Sequence, residues 1–103
     1  MRDSKKAALD EFVFRLLSKF GNKVKEIYLF GSYARGDYSK NSDIDVLIIG
    51  NGIDQREVSE LTWEILMKYG EVISAIVENA EEFQRYRESS FHKSLIREGI
   101  RIG

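Results

Sequence analysis

Two aspartates one residue apart, Asp43 and Asp45, open a run that is otherwise apolar, DIDVLII. Side chains at i and i+2 of a strand point to one face, roughly 6 to 7 Å apart at the backbone, so both carboxylates project together. Two carboxylates on an apolar sheet repel each other and are costly to bury unpaired; a shared divalent cation is the economical reason to place both there. Magnesium suits oxygen ligands of this kind that also include substrate phosphates. The alternatives are a solvated strand end and a calcium loop, but a calcium loop needs further oxygen ligands and a downstream glycine, and here Val46-Leu47-Ile48-Ile49 follows at once. Upstream stands Gly31-Ser32-Tyr33-Ala34-Arg35-Gly36, where another apolar run stops. A glycine lets a ligand approach the backbone, a serine offers a hydroxyl, and the unpaired N–H groups of a helix start favour an anion. Triphosphate oxygens suit that site, with Arg35 either reaching a phosphate or lying solvated on the surface. Taken alone, the two glycines need do no more than make turns.

The elements that must position these residues are legible around them. Leu9, Phe12, Val13, Leu16, Leu17 and Phe20 recur at helical spacing, with Asp3 or Ser4 as the cap and Gly21 as the stop. Val24 to Phe30, rich in β-branched and aromatic residues, reads as a strand feeding the Gly31 turn. The run from Asp43 to Ile49 reads as a central strand covered on both faces. Asp54 with Glu57 forms the signature of a capped helix that ends at Gly70, and Glu71 to Glu78 follows as a third strand. Asn79 with Glu82 opens a short helix, Ser90 to Glu98 a second one, and Ile100 to Ile102 a short edge strand. These alternating helices and strands predict an α+β (α/β) chain with one small mixed β-sheet flanked by helices.

Composition narrows the function classes. A chain of 103 residues without repeat or linker fits a single domain over 1–103. No apolar stretch approaches the ~18 residues of a membrane span, and the charged N-terminus lacks a signal-peptide block, so the expectation is a cytoplasmic protein with no membrane anchor. With no cysteine and the lone His92, a bound metal has to be held by carboxylates. A formal net charge of -1 provides no broad positive field for a nucleic acid, which disfavours a polymer substrate.

Gly31-Ser32-x-x-Arg35-Gly36, then Ser42-Asp43-x-Asp45 running into an apolar strand, resembles the DNA polymerase β-like nucleotidyltransferases. In length the chain is similar to their minimal members in bacteria and archaea, commonly encoded beside a HEPN-domain partner as antitoxin to its toxin. The resemblance implies a polymerase β palm-like nucleotidyltransferase fold. It implies that Gly31, Ser32 and Arg35 hold the nucleotide's phosphates while the catalytic pair Asp43 and Asp45 binds Mg²⁺. It further implies transfer of a nucleoside monophosphate, AMP from ATP, to a hydroxyl of a protein or small molecule, with a HEPN-type protein as partner and a homo- or hetero-oligomer as the assembly.

One position departs from the family pattern. Active members carry a third carboxylate on the following strand, where it helps hold metal and accepts the proton of the attacking hydroxyl; here that position falls on Ser74. A serine is neither a base at neutral pH nor a good magnesium ligand. The chain is therefore either a transferase or a catalytically weak nucleotide-binding module that acts by binding a partner. Glu71 and Glu78 are expected on solvated surface, as are His92, the Asp37 loop carboxylate and the mixed charges Glu81, Glu82, Arg85, Arg87 and Glu88. Trp63 and Met67 are expected to pack under the terminal segment, with a partner-binding patch as the alternative. Phe83, Phe91, Leu95 and Ile96 are expected to dock the last helices on the sheet.

Overall fold

The computed structural model describes residues 4–102, apart from the side chains at 96 and 98. The chain runs α1 (Ser4–Phe20), a 3-10 turn (Gly21–Lys23), β1 (Val24–Phe30), α2 (Gly31–Arg35), β2 (Ile44–Gly50), α3 (Gln55–Tyr69), β3 (Ile73–Glu78), α4 (Ala80–Arg85), α5 (Ser90–Glu98) and β4 (Ile100–Arg101). The strands form one sheet in the order β3-β2-β1-β4. β1 is antiparallel to both β2 and β4, and β2 is parallel to β3, so the sheet is mixed as expected. β2 is internal and its residues from Val46 to Gly50 are buried, which is why the sequence there loses the polar alternation of a one-sided strand.

Parity divides the strands between two faces. Ile27, Leu29, Ile44, Val46, Ile48 and Ile73 point toward α1 and α3 and build the main core with Phe12, Leu16, Val58, Leu61 and Ile65. Leu47 and Ile49, with Tyr28 and Phe30, point the other way and meet Phe83 of α4 and Leu95 of α5. The helices end where local chemistry stops them. The Asp54 carboxylate accepts from the Arg56 N–H at the start of α3, Gly70 closes that helix at φ 70°, and Asn79 and Ser89 cap α4 and α5.

Some expectations need correction. Ser4 lies inside α1 rather than capping it, and its hydroxyl donates to Glu71; Asp3 lies outside the described residues. β3 begins at Ile73, not Glu71, because its parallel partner β2 begins opposite it at Ile44, and the Glu71 carboxylate meets the buried Lys5 ammonium at 2.7 Å instead of lying on solvated surface. Glu78 is likewise not solvated: it accepts from His92 Nε2 at 2.7 Å, and His92 is buried, with Ser89 Oγ 2.6 Å from its Nδ1. Trp63 and Met67 are 60% and 62% exposed, so the terminal segment does not cover them. Phe83 and Leu95 dock as expected, whereas Phe91 is half exposed and the Ile96 side chain lies outside the described residues. Among the described residues no helix is long and apolar enough to cross a membrane.

Candidate functional site

The sheet gathers its chemistry at one end, where β1 finishes and the parallel strands β2 and β3 begin. The register pairs Asp45 of β2 with Phe30 of β1 on one side and with Ser74 of β3 on the other, so all three side chains share the face opposite α1 and α3. Ser74 is exposed. Its side chain therefore stands beside Asp45 in open ground, as the sequence places it. Asp43 is one residue outside the strand, exposed at its entrance, and the backbone between the two aspartates is pinned because the Ile44 N–H donates to the Val72 carbonyl at 2.9 Å.

Gly31 follows β1 directly and begins α2 with φ 76°, a conformation side-chain-bearing residues rarely adopt. A Cβ added there would sit 2.2 Å from Asp45 Oδ2. The space a side chain would fill holds the Asp45 carboxylate, which would have to shift to admit one. Sequence reasoning assigned that space to a ligand, since nothing in the local sequence reveals a residue fourteen positions later folding against it. Ser32 sits in the first turn of α2, and its carbonyl accepts from Gly36 and Asp37 at 3.0 and 3.2 Å, closing the short helix. Arg35 projects from the end of α2, half exposed, its Nε 3.4 Å from Asp37 Oδ2.

Electrostatics mark Asp45 out. Burial, and then the neighbouring negative charge of Asp43, push its carboxyl above the ordinary carboxylate range, and Arg35 pulls the other way. Two neighbouring carboxylates, one of them made costlier to ionise by burial and by the other, are the donor set a hard divalent cation relieves, so the residues present fit magnesium. Among the described residues no group of three or more metal-binding side chains is gathered. Further coordination then falls to substrate phosphates and water, the arrangement magnesium favours.

A residue that sequence reasoning missed supports the site from beneath. Lys5, 4% exposed, donates from Nζ to the Ser42 carbonyl at 2.7 Å as well as to Glu71, and so ties α1 to the peptide just before Asp43. The partners lie 37 and 66 residues away, beyond any local pattern. Glu71 is held below its ordinary carboxyl range: burial opposes this, and the hydrogen bonds from Lys5 and Ser4 overcome it.

A family model described as a nucleotidyltransferase domain matches residues 9–98. A Methanocaldococcus jannaschii protein named as a candidate protein adenylyltransferase is 50% identical over 92 residues, which cover 89% of this chain and 91% of that protein. Among solved structures, a toxin-antitoxin crystal structure with AMP-PNP superimposes with a TM-score of 0.61 at 23% identity, covering 89% of this chain and 70% of that one. A complex of a tri-AMPylated Shewanella oneidensis HEPN toxin with an MNT antitoxin gives 0.51 at 19% identity, over 96% and 71% of the two chains. These two likenesses are of fold.

Proposed function

Because the chain belongs to the nucleotidyltransferase domain family, we propose that residues 1–103 act as one catalytic unit that transfers AMP from ATP to a hydroxyl on a protein, with a HEPN-type protein as its partner. The observation that carries this reading is the Asp45 carboxylate packed against Gly31 with Ser74 open beside it. In it the backbone of the Gly31-Ser32 turn and the Ser32 hydroxyl hold the β- and γ-phosphates, and Arg35 adds a cation at the rim. Asp43 and Asp45 hold Mg²⁺, which supplies charge neutralisation at the α-phosphate when bound. The acceptor oxygen forms its bond to the α-phosphorus as the bond from that phosphorus to the bridging oxygen breaks, and pyrophosphate leaves with the electron pair. The hydroxyl proton passes to water or to a base carried by the acceptor protein, since Ser74 cannot take it.

The exposed ground around Ser74 leaves room for a macromolecular acceptor to reach the α-phosphate, and the kinship to a candidate protein adenylyltransferase points the same way. A second reading keeps the nucleotide site but gives it little turnover, the chain acting on its partner by contact; Ser74 at the level of Asp45 is what favours it. Incubating the purified chain with α-labelled ATP, Mg²⁺ and the product of the adjacent gene separates the two. Label on the partner supports transfer, whereas a stable complex that binds ATP and never becomes labelled supports the second reading.

A further inference from the structure

On the β1 side of Asp45, away from Ser74, a cavity of about 160 Å³ opens between the end of β1 and α5, lined by Phe30, Gly31, Arg35, Phe91, Ser94 and Leu95. Phe30 lies directly across from Asp45 in the antiparallel register, one cross-strand step of about 5 Å. The cavity therefore adjoins both the phosphate turn and the metal-facing carboxylate. Its walls are mostly carbon. Leu95 is buried, and the Phe30 and Phe91 rings meet edge to face, centroids 5.7 Å apart and planes at 87°, which makes an aromatic corner in the cavity wall. Arg35 stands at the rim beside Gly31, and Ser94 places the only neutral polar side chain among the described residues of the lining.

Resting on the nucleotide reading above, we infer that this cavity takes the purine base of the triphosphate and that Phe91 is the residue setting base preference. The donors of this lining, the Gly31 backbone and Arg35, stand at its rim, so charged phosphate oxygens are served there, whereas deeper in, against Phe30, Phe91 and Leu95, they would lose water without replacement. A planar heteroaromatic ring is the opposite case: it stacks on an aromatic face and leaves its edge for a hydroxyl. The corner of two phenyl rings offers more contact to a fused bicyclic base than to a single ring, and the volume admits one such base with the ribose left outside, over the step from Phe30 to Asp45. Ser94, both donor and acceptor, meets a ring nitrogen or exocyclic group without choosing between adenine and guanine. Phe91 is 44% exposed, more than a packing residue of α5 needs; a stacking role uses that exposed ring.

Calorimetric titration of the full chain with ATP, CTP and inorganic tripolyphosphate, each with Mg²⁺, tests this on the wild type and on Phe91→Ala and Phe91→Trp. The expected result is ATP tighter than CTP in the wild type. Phe91→Ala should weaken ATP about tenfold or more and shrink the ATP-to-CTP ratio, leaving tripolyphosphate unchanged, while Phe91→Trp retains tight ATP binding. Equal losses for ATP and tripolyphosphate in Phe91→Ala, or no loss for either, overturn the base assignment while the phosphate site stands. If the wild type binds none of the three, the nucleotide reading itself fails and this assignment falls with it.

Discussion

At the scale of single residues, Gly31 and Ser74 carry opposite kinds of information. Gly31 is constrained twice, by φ 76° and by the Asp45 oxygen 2.2 Å from where its Cβ would be, whereas Gly36 at φ 85° has open space around it. Gly31→Ala is therefore expected to lose the backbone cost, about 1 kcal/mol or more, and Mg²⁺-dependent ATP affinity besides, because the carboxylate must move. Gly36→Ala should show the stability loss alone. Paired melting curves and ATP titrations check this; ATP affinity preserved in Gly31→Ala would detach the glycine from the site. Ser74 is exposed at the level of Asp45, so Ser74→Asp places a third carboxylate there without burying it. Metal affinity is expected to rise, and label transfer with it, by up to about 10² to 10⁴-fold if the absent base limits the reaction. A Ser74→Asp protein that neither binds Mg²⁺ more tightly nor gains stability from it would show that the side chain does not address the metal site.

At the scale of elements, what the sequence revealed is what is decided locally. α5 and β1 have the ranges their patterns predict, and Gly70, Asn79 and Asp54 end or cap helices as expected, because each acts within a turn of its own position. Ser74 stands opposite Asp45, the place the family resemblance implies for a third carboxylate; the strand starts alone do not give it, since β2 and β3 begin at Ile44 and Ile73 rather than at Asp43 and Glu71. Glu71, Glu78 and His92 were misjudged for the converse reason. Their partners come from other elements, Lys5 from α1 for Glu71 and the α5 histidine for Glu78, and such contacts between elements leave no periodic trace. The Lys5–Glu71 contact joins three segments at the base of Asp43, and its pH dependence has a definite sign. A carboxyl held below its unfolded value contributes stability that is present above the unfolded pKa and is lost as pH falls through the folded one. Lys5→Met should cost about 3 kcal/mol near neutral pH, leaving Glu71 nearly buried without its cation, and should flatten the acid limb of the stability profile. Urea unfolding between neutral and acid pH measures both; an unchanged acid limb would mean that the pair does not tie α1 to this end of the sheet.

Across the whole molecule, the faces of the sheet divide the labour. One is sealed by α1 and α3; the other is covered by α4 and α5 over β1 and β2 but not over β3, which leaves the Phe30–Phe91 cavity on one side of Asp45 and exposed Ser74 and Ile76 on the other. A nucleotide held on the covered side and an acceptor arriving over β3 follow from that division. Both depend on the two aspartates, whose removal separates binding from folding because their mutual repulsion works against the metal-free protein. Asp45 has a raised carboxyl, so its ionised form costs the fold stability at neutral pH, and replacing it should not lower the melting temperature without metal. The decisive measurement is Mg²⁺-dependent ATP binding by calorimetry in the wild type and in the Asp43→Asn, Asp45→Asn double variant, with melting curves in chelator alongside. The double variant is expected to lose metal-dependent ATP binding while melting no lower than the wild type; undiminished Mg²⁺-ATP affinity in that variant would show that the two aspartates do not hold the metal.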